Sequence, residues 1–328
     1  MRVVDLFSGC GGMSLGFANA GFDVVTAVDN WDPAIEIYQR NFTHPILKRD
    51  LLDVEARAPE ITALLPNMII GGPPCQDFSS AGKRDEGGGR ANLTVAFAEI
   101  IKHVGPQWFV MENVARAAKS QAYCRARAVF VEAGYGLTEK VLDASLCGVP
   151  QERKRFFVIG HLGSDDGEFL EMLYARMACT QMTLRDYFGD SLGIEHYYRH
   201  PRSYKRRAVF SIDEPSPTIR GVNRPIPDGY PGHPGDTLPI EKVARQLTTA
   251  ERARVQTFPP DFVFCGAKAS VEQAIGNAVP VKLAEFVAGT VWASIHPSNG
   301  SQVPYVPNEQ MRLFAGGRAG GIAPRPRV

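Results

Sequence analysis

The chain lacks an excess of charge of either sign. Its 36 lysines and arginines face 35 aspartates and glutamates, leaving a net charge of +1. A polycationic nucleic-acid coat and an acidic solvating tail are both excluded, so any basic binding face has to be local. Paired cysteines are lacking too. The 6 cysteines, at 10, 75, 124, 147, 179 and 265, follow no disulfide-framework or zinc-ligand spacing, and no metal is expected. No apolar run approaches the ~18 residues of a membrane span, and no internal repeat is visible. The first residues, Met1-Arg2-Val3-Val4-Asp5, read directly as a strand, so the expectation is a cytoplasmic protein without a membrane partner.

What the chain does have is ordinary globular composition, 44% hydrophobic and 22% charged over 328 residues, enough for one sizeable α/β domain and a smaller second one. Up to residue 160 strand-like and helix-like segments alternate. Apolar strands are expected at 3–7, 24–28, 68–70, 108–111 and 156–160, a short one at 45–48, and helices at 12–20, 33–41, 91–103 and 121–133. That rhythm predicts a mostly parallel, doubly wound sheet. From 161 to 244 the texture changes to Pro, Gly, Tyr and Arg, which predicts a separate loop-rich module. Helical periodicity returns at 248–256 and 281–293, and the Gly-, Pro- and Arg-rich stretch 296–328 reads as a flexible tail.

The most informative stretch is Gly71-Gly72-Pro73-Pro74-Cys75-Gln76, directly behind the apolar run Met68-Ile69-Ile70. A buried strand that breaks at Gly-Gly-Pro-Pro ends in a rigid turn, which delivers one thiol to the carboxyl edge of the sheet, where open α/β sheets bind ligands. Cys75 is a candidate nucleophile there, although most free cysteines are simply small buried hydrophobes. A second turn, Phe7-Ser8-Gly9-Cys10-Gly11-Gly12, is glycine-rich without completing a nicotinamide fingerprint. Asp29, closing the second strand, is placed to accept from ribose hydroxyls. Asp50 follows the third strand and can face an adenine amino group, or equally be a solvated loop acid. Together these suggest an adenosine-containing cofactor. Glu112, at the mouth of Trp108-Phe109-Val110-Met111, should be desolvated and hold its proton, suiting it to donate to a ring nitrogen. If a strand starts near Arg153, Arg153 and Arg155 share a face and can together bind an oxygen or depress a thiol pKa. A plain charged lead into that strand reads as well.

In this order the motifs Asp5-Leu6-Phe7-Ser8-Gly9-Cys10-Gly11-Gly12, Gly71 to Ser79, Glu112-Asn113-Val114, Gln151-x-Arg153-x-Arg155, Arg245-Gln246-Leu247-Thr248, Gln256-Thr257-Phe258-Pro259 and Gly276-Asn277-Ala278-Val279-Pro280 make the chain resemble the DNA cytosine-5 methyltransferases, over residues 3 to about 290. The resemblance implies an S-adenosylmethionine-dependent, Rossmann-like α/β catalytic domain assembled from 1–160 and 245–295, with a target-recognition domain at 161–244. It implies S-adenosylmethionine as cofactor, leaving S-adenosylhomocysteine, held by Phe7, Ser8, Gly9, Cys10, Gly11, Gly12, Asp29, Asn30, Asp50, Leu51, Pro73, Leu93, Asn277 and Val279. Asp29 stands where the family usually has Glu, and a shorter carboxylate can still bridge two hydroxyls. Cys75, Glu112, Arg153 and Arg155 become the catalytic set: the thiolate adds to carbon 6, Glu112 serves N3 and Arg155 the O2 carbonyl of a flipped-out cytosine.

Double-stranded DNA is the implied partner, acted on by a monomer, with a cognate restriction endonuclease as a further possibility. The hinge-rich loop Ser79–Arg90 reads as a lid over the flipped base, and Gln76, Ser79, Ser80, Lys83 and Arg90 are expected on the DNA. Arg199, Arg202, Lys205, Arg206 and Arg207, interleaved with Tyr197, Tyr198 and Tyr204 and with no acid between them, read as a phosphate-binding patch. Arg220, Asn223 and Arg224 suit base reading. A tRNA cytosine-5 methyltransferase of the same fold is the nearest rival, disfavoured by the size of the variable module. A nicotinamide oxidoreductase is disfavoured by the incomplete glycine fingerprint, and a binding-only protein by the intact catalytic set.

Overall fold

The structure, a computed structural model, describes residues 1–74 and 92–296. Its first half alternates β1 (Arg2–Leu6), α1 (Gly12–Asn19), β2 (Asp23–Asp29), α2 (Asp32–Asn41), β3 (Ile46–Lys48), α3 (Val54–Thr62), β4 (Met68–Gly71), α4 (Asn92–Val104), β5 (Trp108–Val114), α5 (Gln121–Glu132), β6 (Tyr135–Asp143), β7 (Gln151–Glu152) and β8 (Lys154–Leu162). After these come α6 (Leu170–Arg176), α7 (Leu184–Phe188), β9 (His196–Tyr198), β10 (Val209–Ser211), β11 (Ser216–Pro217), α8 (Thr249–Val255), α9 (Lys268–Asn277) and α10 (Val281–Ile295). Seven strands make one sheet in the order β3-β2-β1-β4-β5-β8-β6. Only β8 runs against its neighbours, so the mostly parallel, doubly wound sheet expected from the βαβ rhythm is the one that forms. The strand order reverses between β1 and β4, and at such a point the crevice outside the carboxyl ends is open to a ligand.

Period-two alternation sorts the side chains onto two faces. Val3, Met68, Ile70, Trp108, Val110, Phe157 and Ile159 meet α1 and α10 through Met13, Phe17, Leu283 and Val287. Val4, Leu6, Ile69, Phe109, Met111, Phe156 and Val158 meet Phe97, Ile100, Ile101, Tyr123 and Phe130 of α4 and α5. Because both faces are covered, these strands read as unbroken apolar runs.

Three elements escape such a reading. Thr138-Glu139-Lys140 interrupts the apolar run of β6, which lies at the sheet edge, where Glu139 pairs with Arg127 at 3.0 Å. Pro59 sits inside α3, whose start is capped by the Asp53 carboxylate accepting from the Ala56 amide. Lys268–Ile295 is long and apolar enough by composition to span a membrane, yet 56% of its most apolar window is buried inside the protein. α9 and α10 within it are core helices separated by Ala278-Val279-Pro280.

The chain between 161 and 244 holds only short elements, among them the antiparallel pair β9–β10. Here the structure corrects one expectation. Tyr197 and Tyr198, read as part of a basic aromatic patch, are each 1% exposed and belong to apolar clusters with Phe210 and Val209. Tyr204 alone of the three is exposed.

Candidate active site

Three parallel strands end side by side, with Leu6 in register with Gly71 and Gly71 with Met111. Their exits carry the glycine turn, the Gly72-Pro73-Pro74 run and Glu112. β8, running the other way, brings Arg155 opposite Val114 at the same edge. Glu112 Oε1 and Arg155 Nε lie 2.9 Å apart, with side chains only 11% and 14% exposed. Burial raises the Glu112 pKa against the opposing pull of Arg155 and Arg153, which favours the protonated acid. The Asn113 amide donates to the Pro73 carbonyl at 3.2 Å, and a Cβ on Gly72 would lie 3.2 Å from Glu112 Oε2. The rigid turn is thus fastened against the acid. Cys75, the next residue but one after Pro73, lies outside the described residues, as do Gln76, Ser79, Ser80, Lys83 and Arg90. Beside Arg155 opens a cavity of about 440 Å³, lined also by Asp143, Glu152, Lys154, Gln181 and Thr218, within the usual size of small-ligand sites.

Arg153 departs from its expected place. β8 begins one residue later, and the Arg153 side chain, 1% exposed, turns inward. Its guanidinium donates to the carbonyls of Ile219, Gly276 and Ala278 at 3.0, 2.9 and 3.0 Å. Those donors are spent on backbone, so Arg155 is the arginine that pairs with Glu112.

The glycine turn bends sharply, with φ of +59° at Phe7, +55° at Gly9 and +95° at Gly11. Asp29 braces it: Oδ2 accepts from the Gly9 amide at 2.8 Å, and Oδ1 from the Asn30 and Trp31 amides at 2.8 and 2.9 Å. Burial raises its pKa against these bonds. Three of roughly four lone-pair sites of the carboxylate are taken, which leaves less for a ribose than the expected bridge between two hydroxyls. The turn fits a nucleoside ligand in two respects: among the described residues, Ser8 Oγ is buried without a partner, and nothing lies within 4 Å of where a Gly9 Cβ would stand. Leu51, Leu93 and Val279 are buried, while Asn277 is exposed and accepts from Gln273 at 2.8 Å. Asp50 is exposed and accepts from the Leu52 amide at 3.0 Å. The Cys10 thiol faces away into the C-terminal layer, 3.7 Å from the Ala274 carbonyl, its pKa pushed up by burial to about 12. It contributes packing.

Below the turn runs a polar chain that the sequence did not announce. Tyr38 Oη, 2.6 Å from His44 Nε2, donates to Ser14 Oγ at 2.8 Å, which donates to Asp5 Oδ2 at 2.5 Å. Asp5 is fully buried, its Oδ1 has no partner among the described residues, and burial pushes its pKa up to about 7.

Comparison with known proteins places this geometry. The family model for C-5 cytosine-specific DNA methylase matches residues 1–292. The chain belongs to that family. It is similar to the Type II methyltransferase M.HgiDI of Herpetosiphon aurantiacus, 56% identical over 94% of this chain and 99% of that one. It is also similar to M.HindV of Haemophilus influenzae, a Type II methyltransferase 54% identical over 89% of this chain and 96% of that one. Among solved structures, the S. pombe Dnmt2 methyltransferase shares the fold, with a TM-score of 0.68 at 20% identity over 90% of this chain and 98% of that one.

In this methylase the residues expected on DNA divide. Lys205, Arg206 and Arg224 are exposed. Arg220 donates to the His200 carbonyl and Arg199 to the Thr218 carbonyl at 2.7 Å. They line one pocket with His200, Asn223 and Arg224. Two residues differ from expectation. Arg207 is engaged by Glu214 through two bonds of 3.1 and 2.5 Å and lies over the Phe210 ring, so its fork serves the fold. Asn223 donates its side-chain amide to the Leu247 carbonyl at 2.9 Å and to Glu272 Oε1 at 3.5 Å, leaving its oxygen for a base. Sequence reasoning also missed the buried ion pair Arg252–Glu272, whose arginine also donates to the Arg220 carbonyl.

Proposed function

We propose that the chain is the modification methyltransferase of a Type II restriction–modification system, transferring the methyl group of S-adenosylmethionine to carbon 5 of a cytosine flipped out of duplex DNA. The observation that carries this reading is the Glu112–Arg155 pair, buried at the sheet edge and set against the turn that leads to Cys75. Phe7, Ser8, Gly9 and Asp29 would hold the cofactor, which supplies an electrophilic methyl group when bound. Cytosine carbon 5 is a poor nucleophile until the ring loses its aromaticity. The Cys75 thiolate would form a bond to carbon 6 while Glu112 gives its proton to N3 and Arg155 holds O2, which makes carbon 5 enamine-like. After methylation the carbon 5 proton passes to solvent water, the 5,6 double bond re-forms, the thiolate leaves carbon 6, and N3 returns its proton to the Glu112 carboxylate. Extrusion of the base costs a few kcal/mol, at about the cost of one unstacked pair.

The test uses a long duplex synthesised with 5-fluorocytosine at every cytosine, so that no knowledge of the recognition site is needed. Fluorine cannot leave as the proton does, and wild type with S-adenosylmethionine should form a denaturant-resistant protein–DNA complex. Cys75→Ala should form none. A complex that survives in Cys75→Ala overturns the nucleophile, and trapping on fluorinated RNA in place of DNA overturns the substrate.

A further inference from the structure

The residue the mechanism leaves unused is Arg153. A guanidinium buried without a carboxylate of its own is expensive, and the partners it has are carbonyls from two remote stretches of chain. Ile219 belongs to the segment that leads into Arg220 and Asn223. Gly276 lies in the last turn of α9, and Ala278 opens the turn between α9 and α10.

A second path runs parallel to it. The Gln151 side chain accepts from the Ile219 amide at 2.8 Å and donates to the Gln256 oxygen at 2.7 Å, and Gln256 donates to the Ile275 and Ala278 carbonyls at 2.6 and 3.1 Å. β11 pairs with β7 in the same place, with Ser216 opposite Gln151. Direct contact completes the arrangement: a Cβ on Gly276 would lie 2.2 Å from the Gly221 nitrogen, so α9 carries backbone 220–221 on its surface. At the other end of the same turn the Val279 carbonyl abuts Gly12 of the cofactor loop, 2.2 Å from where a Cβ would stand. Gly12, Val279, Ala278, Arg153, Ile219 and Gly221 therefore form one unbroken line of contacts.

We propose that Arg153 is a positioning residue that transmits occupancy of the cofactor turn to the target-reading segment 219–223, so that a bound cofactor orders that segment before DNA arrives. The proposal rests on the reading of residues 7–12 as the cofactor turn. Contiguity alone does not prove coupling; a change of order at one end caused by ligand at the other does.

The measurement is amide hydrogen exchange on the full-length protein with and without saturating S-adenosylhomocysteine. In wild type, protection should rise at 7–12 and, about fivefold or more, at 219–223, within the usual range of allosteric coupling. In Arg153→Gln the rise at 7–12 should persist while that at 219–223 falls below about twofold, and Arg153→Lys, which keeps the charge but loses the fork, should fall between. A merely structural arginine would instead loosen 219–223 equally with and without ligand. Wild-type protection at 7–12 with no change at 219–223 overturns the coupling alone, even if the variants fail to fold. Absence of protection at 7–12 overturns the cofactor reading and the coupling with it, and an undiminished response in Arg153→Gln overturns the role of the residue.

Discussion

Glu112 and Arg155 meet across β5 and β8 at 2.9 Å, in a place water hardly reaches. Their contributions should separate by substitution. Glu112→Gln keeps the shape and loses the transferable proton, so single-turnover methylation should drop by about 10²- to 10⁴-fold, with DNA binding little changed. Arg155→Ala leaves the buried carboxyl without its hydrogen-bond donor and should lower stability by about 1–3 kcal/mol, read from urea unfolding at pH 8. An Arg155→Ala protein as stable as wild type would contradict the pairing.

Acidity should reveal Asp5. Folded, it keeps its proton up to about pH 7, against an ordinary value of 3.8. The folded state therefore binds more protons than the unfolded chain between those values, so this group makes stability fall as pH rises from 4 to 7, with no further change above. Asn in its place cannot ionise. The melting temperature of Asp5→Asn minus that of wild type should increase between pH 5 and pH 8, by an amount equivalent to on the order of 3 kcal/mol at ~1.4 kcal/mol per pKa unit. A flat difference would show that Asp5 titrates normally.

Two glycines of one turn should lose stability to alanine for different reasons. At Gly12 the new methyl meets the Val279 carbonyl, backbone that has nowhere to go; a loss of about 1–3 kcal/mol is expected, together with weakened S-adenosylhomocysteine binding by calorimetry. At Gly9 the methyl meets nothing among the described residues, and the φ of +55° is what is unfavourable, worth about 1–2 kcal/mol. Steric conflict at position 9 would have to appear as structural rearrangement, which crystallography or NMR would show.

The basic stretch should divide by salt. Exposed Arg206 has no carboxylate partner among the ion pairs of the described residues, and Arg206→Ala should reduce the slope of log affinity against log salt by about 0.9. Arg207→Ala strips Glu214 of its partner, so its main effect should be on thermal stability. An equal salt effect from both would mean that Arg207 leaves Glu214 when DNA binds.

Much of this molecule was legible. β1, β4 and β5 announced themselves because strands buried on both faces become apolar runs; the first two stop at Phe7, held at positive φ, and at Gly72, while β5 runs on past its apolar stretch through Glu112 to Val114. Their chemistry followed from where parallel strands end. Arg153 was not legible. In sequence it looks like a twin of Arg155, and its partners, 66, 123 and 125 residues away, are backbone carbonyls that leave no mark on residue type. Tyr197 and Tyr198 misled for a related reason: a short strand in a loop-rich region buries one tyrosine in a cluster with Ile37, Phe258 and Ile275 and the other in a small local cluster, which composition cannot distinguish from a stacking surface.

The two-residue pairing of β11 with β7 has an engineering consequence. It marks where a seam for swapping specificity between relatives must not be cut. A chimera that exchanges the loops before Ser216 and after Gly221, but inherits the intervening strand and its Ile219 from the recipient, keeps every bond to Gln151 and Arg153. One that carries the whole stretch across keeps them only if its backbone at position 219 follows the same path. New target sequences are therefore best sought by grafting on either side of a short fixed spine.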